Sequence, residues 1–203
     1  MTHESCAERG LDVTAVVRSA KGLGFESLPG VKVVEGNLSD ARFVESCIEG
    51  KDVVLSSLGF RLPGLGYWNH PYEPEYLGIA ADNIIAAMRK YGVKRVLFLS
   101  AAGIGDSFAK VSFGFRAFIT LSALAHVYPL LEKVENKFTA ANDLEVCCPR
   151  PPGLTNDPMK GAVIVKPELP GLPRISRADV AKYMLDEAVK EGPFEHKLPL
   201  FSY

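Results

Sequence analysis

Five segments of the sequence place small or polar residues directly after an apolar run, and these residue types suit contacts with phosphate, ribose and carbonyl groups. In an open parallel sheet, ligands bind outside the carboxyl ends of the strands. If the runs form such a sheet, we expect the five segments to converge on one crevice. The segments are Arg18-Ser19, Asn37-Leu38, Ser57-Leu58-Gly59, Ser100-Ala101-Ala102 and Arg150-Pro151-Pro152-Gly153.

Arg18 ends the first of these runs, at the place where a dinucleotide-binding fold holds the adenosine ribose. An acidic residue there would bind the 2′-hydroxyl of NAD, whereas a guanidinium suits a 2′-phosphate. The sequence therefore favours NADP over NAD. The alternative is a solvated arginine at the end of a strand.

The other segments each admit two interpretations. Asn37 and Leu38 would lie along an adenine edge or form an ordinary turn, in which Asn is common. Ser57-Leu58-Gly59 would let the backbone approach a ligand closely or would form a turn. Ser100 would hydrogen-bond a substrate carbonyl or a nicotinamide carboxamide, or would cap a turn.

The elements that must position these residues follow from the apolar pattern. Continuous apolar runs predict strands covered on both faces, and helical spacing predicts helices between them. This alternation predicts an α/β fold with a doubly wound parallel sheet, in one domain over residues 1–203. The predicted strands are Leu11–Arg18, Val31–Glu35, Asp52–Ser57, Arg95–Ser100, Leu144–Cys148 and Leu198–Phe201. The predicted helices are Ala41–Ile48, Glu75–Tyr91, a stretch within Phe113–Asn142, and Ser176 to about Lys190.

Composition excludes several classes of partner. The net charge of −1 predicts no nucleic-acid partner. Arg116 and His126 interrupt the apolar stretch 113–131, which favours a buried helix over a membrane span. The four cysteines make no C-x-x-C pair and predict buried thiols and no metal site. The polar N-terminus argues against a signal peptide, so we expect a cytoplasmic protein.

Six segments in order resemble the atypical short-chain dehydrogenase/reductases of the NAD(P)H-binding, NmrA-like type, near the biliverdin reductase B and flavin reductase group. Their order and spacing carry the resemblance, which covers nearly the whole chain. The segments are Val13–Arg18, Val34–Asp40, Asp52–Gly59, Val93–Ser100, Pro149–Thr155 and Ile175–Val180.

The resemblance implies a Rossmann sheet and a set of NADP contacts. It implies that Arg18 binds the 2′-phosphate and that Asn37 and Leu38 contact the adenine. It places Ser57-Leu58-Gly59 at the ribose and phosphates. On the nicotinamide side it implies Ser100, Ala101 and Pro151-Pro152-Gly153-Leu154.

Two departures from the family pattern matter. The family opens with a strand and a G-x-x-G-x-x-G loop that receives the pyrophosphate, whereas residues 1–10 resemble the second half of the helix that follows. We expect the missing strand either to leave two inner edges unpaired, one on the strand ending at Arg18 and one on the strand ending at Ser57, or to force these edges to close up. A truncated gene model, a splice form or a fragment would explain the missing strand and loop.

The second departure is the absence of the Tyr-x-x-x-Lys pair that donates a proton in classical members. Tyr128 is followed four residues later by Glu132. Lys137 and Ser100 are the catalytic candidates that remain. Hydride transfer to a flavin or tetrapyrrole needs less acid/base chemistry from the protein.

The leading expectation is an NADPH-dependent oxidoreductase acting on a small planar or carbonyl-containing substrate. The aromatic loop Phe60–Tyr72 would cover that substrate or pack on the surface. The alternatives are a non-catalytic NAD(P)-sensing or scaffold protein, and a form that binds no nucleotide. Oligomeric state and substrate identity have no signature in the sequence.

Overall fold

Parallel strands alternate with helices along the chain, as the apolar runs predicted. The computed structural model describes residues 9–21, 30–60 and 74–203. The strands are β1 (Val13–Val17), β2 (Val31–Glu35), β3 (Val53–Ser56), β4 (Arg95–Phe98), β5 (Glu145–Cys147), β6 (Gly153–Thr155), β7 (Ile164–Val165), β8 (Arg174–Ser176) and β9 (Phe201–Ser202). The helices are α1 (Ala41–Ile48), α2 (Pro74–Tyr91), α3 (Phe113–Thr120), α4 (Leu124–Thr139) and α5 (Arg177–Val189), with a 3₁₀ helix at Gly105–Lys110.

Two parallel ladders form the body of the sheet. β1 pairs with β2, and β3, β4 and β5 pair in that order. Among the described residues no ladder joins β1 to β3, so the sheet is interrupted where the sequence predicted two inner edges. Beyond β5, the amides of Cys148 and Arg150 donate to the carbonyls of Lys197 and Pro199 at 2.7 and 2.8 Å. The short pairs β6–β8 and β7–β9 lie outside these ladders.

Both faces of the central strands are covered, because successive side chains point to opposite faces. Val96 and Phe98 pack with α2 and α4 on one face, and the Phe98 and Phe138 rings stack at 5.0 Å. Leu97 packs with α5 on the other face, together with Phe201. This double coverage explains why the strands read as continuous apolar runs.

The two cysteines at the end of β5 are buried thiols, as predicted. Cys147 and Cys148 are fully buried in clusters on opposite faces, and neither is in a disulfide. Burial raises the pKa of the Cys147 thiol to about 12, and it also raises that of Cys148. Cys47 is partly exposed, and Cys6 lies outside the described residues.

The apolar stretch after β4 differs from its prediction in two ways. It forms two helices, α3 and α4, bent by 97° relative to each other, in place of one continuous helix. Phe115 and Ile119 of α3 are buried as expected, but Phe113 is 80% exposed and Leu121 is 76% exposed. No single helix in the described ranges is long and apolar enough to cross a membrane, although this bent pair together passes the same test of length and composition.

Candidate functional site

Two buried serines with unpaired hydroxyls lie at the carboxyl ends of β3 and β4. Ser56 is 5% exposed and Ser100 is 6% exposed, and neither Oγ has a hydrogen-bond partner among the residues that the structure describes. Both lie on the sheet face that α2 and α4 cover. Ser56 is two residues after Val54 and Ser100 is two residues after Phe98, and side chains two residues apart in a strand share a face. A buried hydroxyl without a partner is costly, so this pair fits a polar group of a ligand at the sheet edge.

The backbone brings the segments after β4 and β5 side by side. The amide of Ser100 donates to the carbonyl of Pro149, and that of Ala102 donates to Pro151, each at 2.9 Å. Ser100 and Ala101 therefore lie beside Pro151 and Pro152, and their contact with a nicotinamide stays a prediction. Gly153 and Leu154 continue into β6 and are exposed.

Gly103 lies where α3 packs against the backbone segment that follows β4. Its φ is +92°, and a Cβ there would lie 2.4 Å from the Cδ1 of Ile119. α3 therefore packs directly on the backbone after β4, and only glycine permits both the contact and the conformation. Tyr128 of α4 lies next to the same position, 3.5 Å from that Cβ.

Arg18 is exposed just after β1, and its guanidinium lies 6.0 Å from the ring centroid of Tyr76. No carboxylate pairs with it in the described ranges of the chain. Lys21 is exposed in the same turn, and its amide donates to the Oγ of Ser19 at 3.4 Å. Two cations within four residues suit a phosphate. Lys21 was not among the residues predicted to contact a ligand, although a second basic residue three positions after Arg18 could have indicated it.

Asn37 and Leu38 form a turn fixed on both sides. The Oδ1 of Asn37 accepts from the Ser39 amide at 2.9 Å, and the Nδ2 of Asn83 in α2 donates to the Leu38 carbonyl at 2.8 Å. The turn interpretation is therefore correct for the backbone, while the exposed Asn37 side chain keeps its amide group at the carboxyl edge of β2. Nothing in the sequence marked Asn83, because a polar residue within a helix is common.

Ser57-Leu58-Gly59 follows β3, with Ser57 and Gly59 exposed and Leu58 packed against the core. Gly59 has no positive φ, and no described atom lies within 4 Å of a Cβ placed there. Neither the backbone conformation nor the described neighbours therefore require glycine at this position. The predicted close approach of a ligand at Gly59 stays a prediction.

Lys137 and Tyr128, the two residues of α4 considered for proton transfer, have different surroundings. The Nζ of Lys137 lies 2.7 Å from both carboxylate oxygens of Asp82, which ties α4 to α2. Its catalytic role stays a prediction, and this ion pair weighs against it. Burial raises the pKa of Tyr128 to about 12, so the phenol is a poor proton donor at neutral pH.

A buried ion-pair cluster holds the segments around Ser100 in place. Arg150 is 2% exposed, and its Nε and Nη2 donate to both carboxylate oxygens of Glu135, also 2% exposed, at 2.9 and 2.6 Å. Its Nη1 donates to Asp106 in the 3₁₀ helix at 2.6 Å. The side chain of Arg150 thus joins α4, the 3₁₀ helix and the end of β5, and it does not face the crevice.

Asp179 fixes the loop after β6. It accepts hydrogen bonds from the amides of Lys160 and Gly161 and from the hydroxyls of Ser176 and Tyr203 at 2.6 to 3.0 Å. Burial by itself would raise the pKa of Asp179, but these four donors lower it to about 2. The carboxylate therefore connects the start of α5, the loop and the C-terminus.

This depressed pKa predicts acid sensitivity. The stabilisation by Asp179 is complete above the ordinary pKa of 3.8 and is lost as the pH falls toward about 2. We expect Asp179→Asn to remove about 2 kcal/mol of unfolding free energy at neutral pH and to flatten the loss below pH 3.8. Urea unfolding at a series of pH values measures this, with Asp157→Asn as the control in the same loop. Parallel pH profiles for wild type and Asp179→Asn would contradict it.

The aromatic loop predicted to cover a substrate lies almost wholly outside the described residues, since residues 61–73 are not described. Within the described ranges no cluster of His, Cys, Asp or Glu has the arrangement of a metal site.

Known proteins resemble this chain in both fold and sequence. It shares 20% identity with the Escherichia coli anaerobilin reductase ChuY over 98% of this chain and 88% of that one, with a TM-score of 0.75. It shares 18% identity with a Veillonella parvula short-chain dehydrogenase/reductase in complex with NADP, over 99% and 87% of the two chains, also with a TM-score of 0.75. These likenesses confirm the Rossmann-like parallel α/β fold.

A sequence relative and a family model complete the comparison. An uncharacterised chloroplastic protein of Arabidopsis thaliana is 26% identical over 170 residues, which are 81% of this chain. The matched region spans 58% of that relative's length. The model of the NAD(P)H-binding family matches residues 2–191. The chain therefore belongs to the NAD(P)H-binding family, as its six ordered segments predicted.

Proposed function

We propose that the chain is an NADPH-dependent oxidoreductase acting on a small planar or carbonyl-containing substrate. The observation that carries the proposal is the buried hydroxyl of Ser100 at the carboxyl end of β4, which has no hydrogen-bond partner among the described residues. In an NAD(P)H-binding chain, this edge of the sheet is where a cofactor and substrate meet.

The residues present fit the proposed cofactor. Arg18 and Lys21 would hold the 2′-phosphate, because two exposed cations share one turn. Asn37 would lie at the adenine, and Gly59 would admit the ribose and phosphates. Ser100 would donate its hydroxyl proton to the carboxamide or to a substrate carbonyl. NADPH, when bound, supplies the hydride.

The proposed substrate class rests on how the two described candidates for proton transfer are placed. Tyr128 has a raised pKa, and Lys137 is engaged by Asp82. A flavin or a linear tetrapyrrole accepts a hydride with little help from a protein acid. The structural likeness to an anaerobilin reductase supports this choice.

Turnover tests the proposal. Purified protein would be mixed with NADPH and, in turn, with a flavin, a linear tetrapyrrole and a simple ketone, and NADPH oxidation would be followed by its absorbance. We expect oxidation with the flavin or the tetrapyrrole. Saturable NADPH binding with no turnover on this panel would favour the second candidate, a non-catalytic NADPH sensor, which the missing Tyr/Lys pair keeps open.

The role of Ser100 gives a separate prediction. Ser100→Ala removes one hydrogen bond worth about 1 kcal/mol, so we expect kcat/KM to fall roughly fivefold to tenfold. Tyr128→Phe and Lys137→Met are the matched controls, and we expect both to retain the wild-type value. A larger fall in kcat/KM with either control than with Ser100→Ala would indicate that the control residue is the proton donor.

A further inference from the structure

A carboxylate lies on the same turn as the two exposed cations that follow β1. The amide of Ala20, which stands between Arg18 and Lys21 in the chain, donates to the Oε1 of Glu35 at 2.6 Å. Glu35 is the last residue of β2 and is exposed. The adenosine end of the proposed nucleotide site therefore carries an acidic group that comes from the neighbouring strand.

The strands and the packing of α1 hold the backbone at Glu35 in place. Its partner across the parallel ladder is Val17, and the amide of Gly36 donates to the Val17 carbonyl at 3.0 Å. A Cβ at Gly36 would lie 2.2 Å from the ring of Phe43, so this ring packs directly on the backbone that follows Glu35. The carboxylate thus reaches the turn from a fixed position at the end of β2.

The negative charge of Glu35 is not neutralised by a neighbouring side chain. Neither cation of the turn forms an ion pair with it, and the Ala20 amide is its one side-chain hydrogen-bond partner among the residues that the structure describes. Asp40 and Arg42 are the next charged residues along the chain, and they lie at the start of α1, where Asp40 accepts from the Arg42 amide at 2.9 Å. The turn after β1 thus holds two cations and one unpaired carboxylate.

A carboxylate at this place acts on the two nucleotides in opposite directions. A 2′-phosphate carries a charge of about −1.5 to −2 near neutral pH. Consecutive Cα atoms are about 3.8 Å apart, so a phosphate bound to this turn lies within about 8 Å of Glu35, one Debye length at physiological salt. The phosphate and the carboxylate therefore repel each other. The 2′-hydroxyl of NADH is instead a donor, whose hydrogen bond a carboxylate at the adenosine ribose accepts.

We propose that Glu35 sets the nucleotide preference of the chain, by opposing the 2′-phosphate of NADPH and accepting the 2′-hydroxyl of NADH. The proposal rests on the proposed nucleotide site at Arg18 and deepens it. Arg18 and Lys21 attract the phosphate, and Glu35 limits how far they favour it over a hydroxyl. The chain therefore binds both nucleotides, with NADPH the tighter of the two.

Fluorescence titration of the full chain with NADPH and with NADH tests the role of Glu35. Glu35→Gln removes the charge and keeps an oxygen that accepts from the Ala20 amide, whereas Glu35→Ala removes both. Asp12→Asn is the matched control, because Asp12 is an exposed carboxylate just before β1, at the opposite end of the same ladder. Thermal unfolding checks that the three variants fold like the wild type.

We expect Glu35→Gln to tighten NADPH binding roughly fivefold, which is the Coulomb repulsion of these charges in water at this separation. NADH should bind equally well or more weakly. Glu35→Ala should tighten NADPH at least as much, and Asp12→Asn should change neither Kd.

Three results would overturn the proposal, and they differ in what they leave standing. Unchanged NADPH binding by both Glu35 variants, beside saturable binding by the wild type, would overturn the role of Glu35 alone. Weaker NADPH binding by Glu35→Ala would do the same, since Glu35 would then hold the turn in the shape that binds the phosphate. No binding of either nucleotide by the wild type and by both variants would overturn the proposed function as well.

Discussion

Replacing Glu135 by glutamine is expected to lower the free energy of unfolding by about 3 kcal/mol. Glu135 and Arg150 are both about 2% exposed and share two hydrogen bonds. Burial by itself would lower the pKa of Arg150, but its bonds to Glu135 and Asp106 raise it above the ordinary value. Because the ordinary pKa of arginine lies far above neutral pH, the guanidinium keeps its charge when Glu135 is neutralised, and a buried charge is left without its main partner.

Urea unfolding of three variants separates this effect from a general loss of contacts. Asp106→Asn, whose carboxylate is 55% exposed, should cost less than about 1 kcal/mol. Glu135→Leu combined with Arg150→Met should be more stable than Glu135→Leu alone, since an apolar pair leaves no buried charge. A cost below about 1 kcal/mol for Glu135→Gln would mean that the cluster does not fix the segments around Ser100.

The second large effect concerns the nucleotide. Arg18→Ala is expected to weaken NADPH binding by about 2 kcal/mol, roughly thirtyfold in Kd, and to leave NADH binding nearly unchanged. The reason is that the guanidinium is exposed, free of carboxylates among the described residues, and shares its turn with Lys21. A hydrogen bond to an ionised group has about this value, and only NADPH carries the 2′-phosphate.

Two further variants make the comparison specific. Lys21→Ala should weaken NADPH less than Arg18→Ala does, because a lysine contacts a phosphate as a point charge. Lys94→Ala removes an exposed cation just before β4, at the amino edge of the sheet, and should change neither Kd. Equal weakening of NADPH and NADH by Arg18→Ala would exclude the 2′-phosphate assignment.

Much of the fold could be predicted from local patterns. α1 begins and ends at the predicted residues, and Asp40 is its N-cap, accepting from the amides of Arg42 and Phe43. α5 begins after Ser176, as its capping pattern predicted. The continuous apolar runs predicted strands covered on two faces. These signals depend on only a few neighbouring residues, so they can be recognised in the sequence.

The parts that sequence reasoning missed depend on contacts between distant segments. Arg150 looked like one of the strand-end residues that face a ligand, yet Glu135 on α4 draws its side chain into the core. The predicted single buried helix breaks into two, and the exposure of Phe113 depends on how α3 packs on Gly103. Apolar character alone does not tell which side of such a helix meets the core.

Fluorescence titration of the purified chain with NADPH tests the central claim most directly. We expect saturable binding to one site, with NADPH bound more tightly than NADH, because Arg18 and the carboxyl ends of β3 and β4 are the proposed contacts for the two halves of the nucleotide. No saturable change with either nucleotide would contradict the claim that this chain is an NADPH-dependent protein.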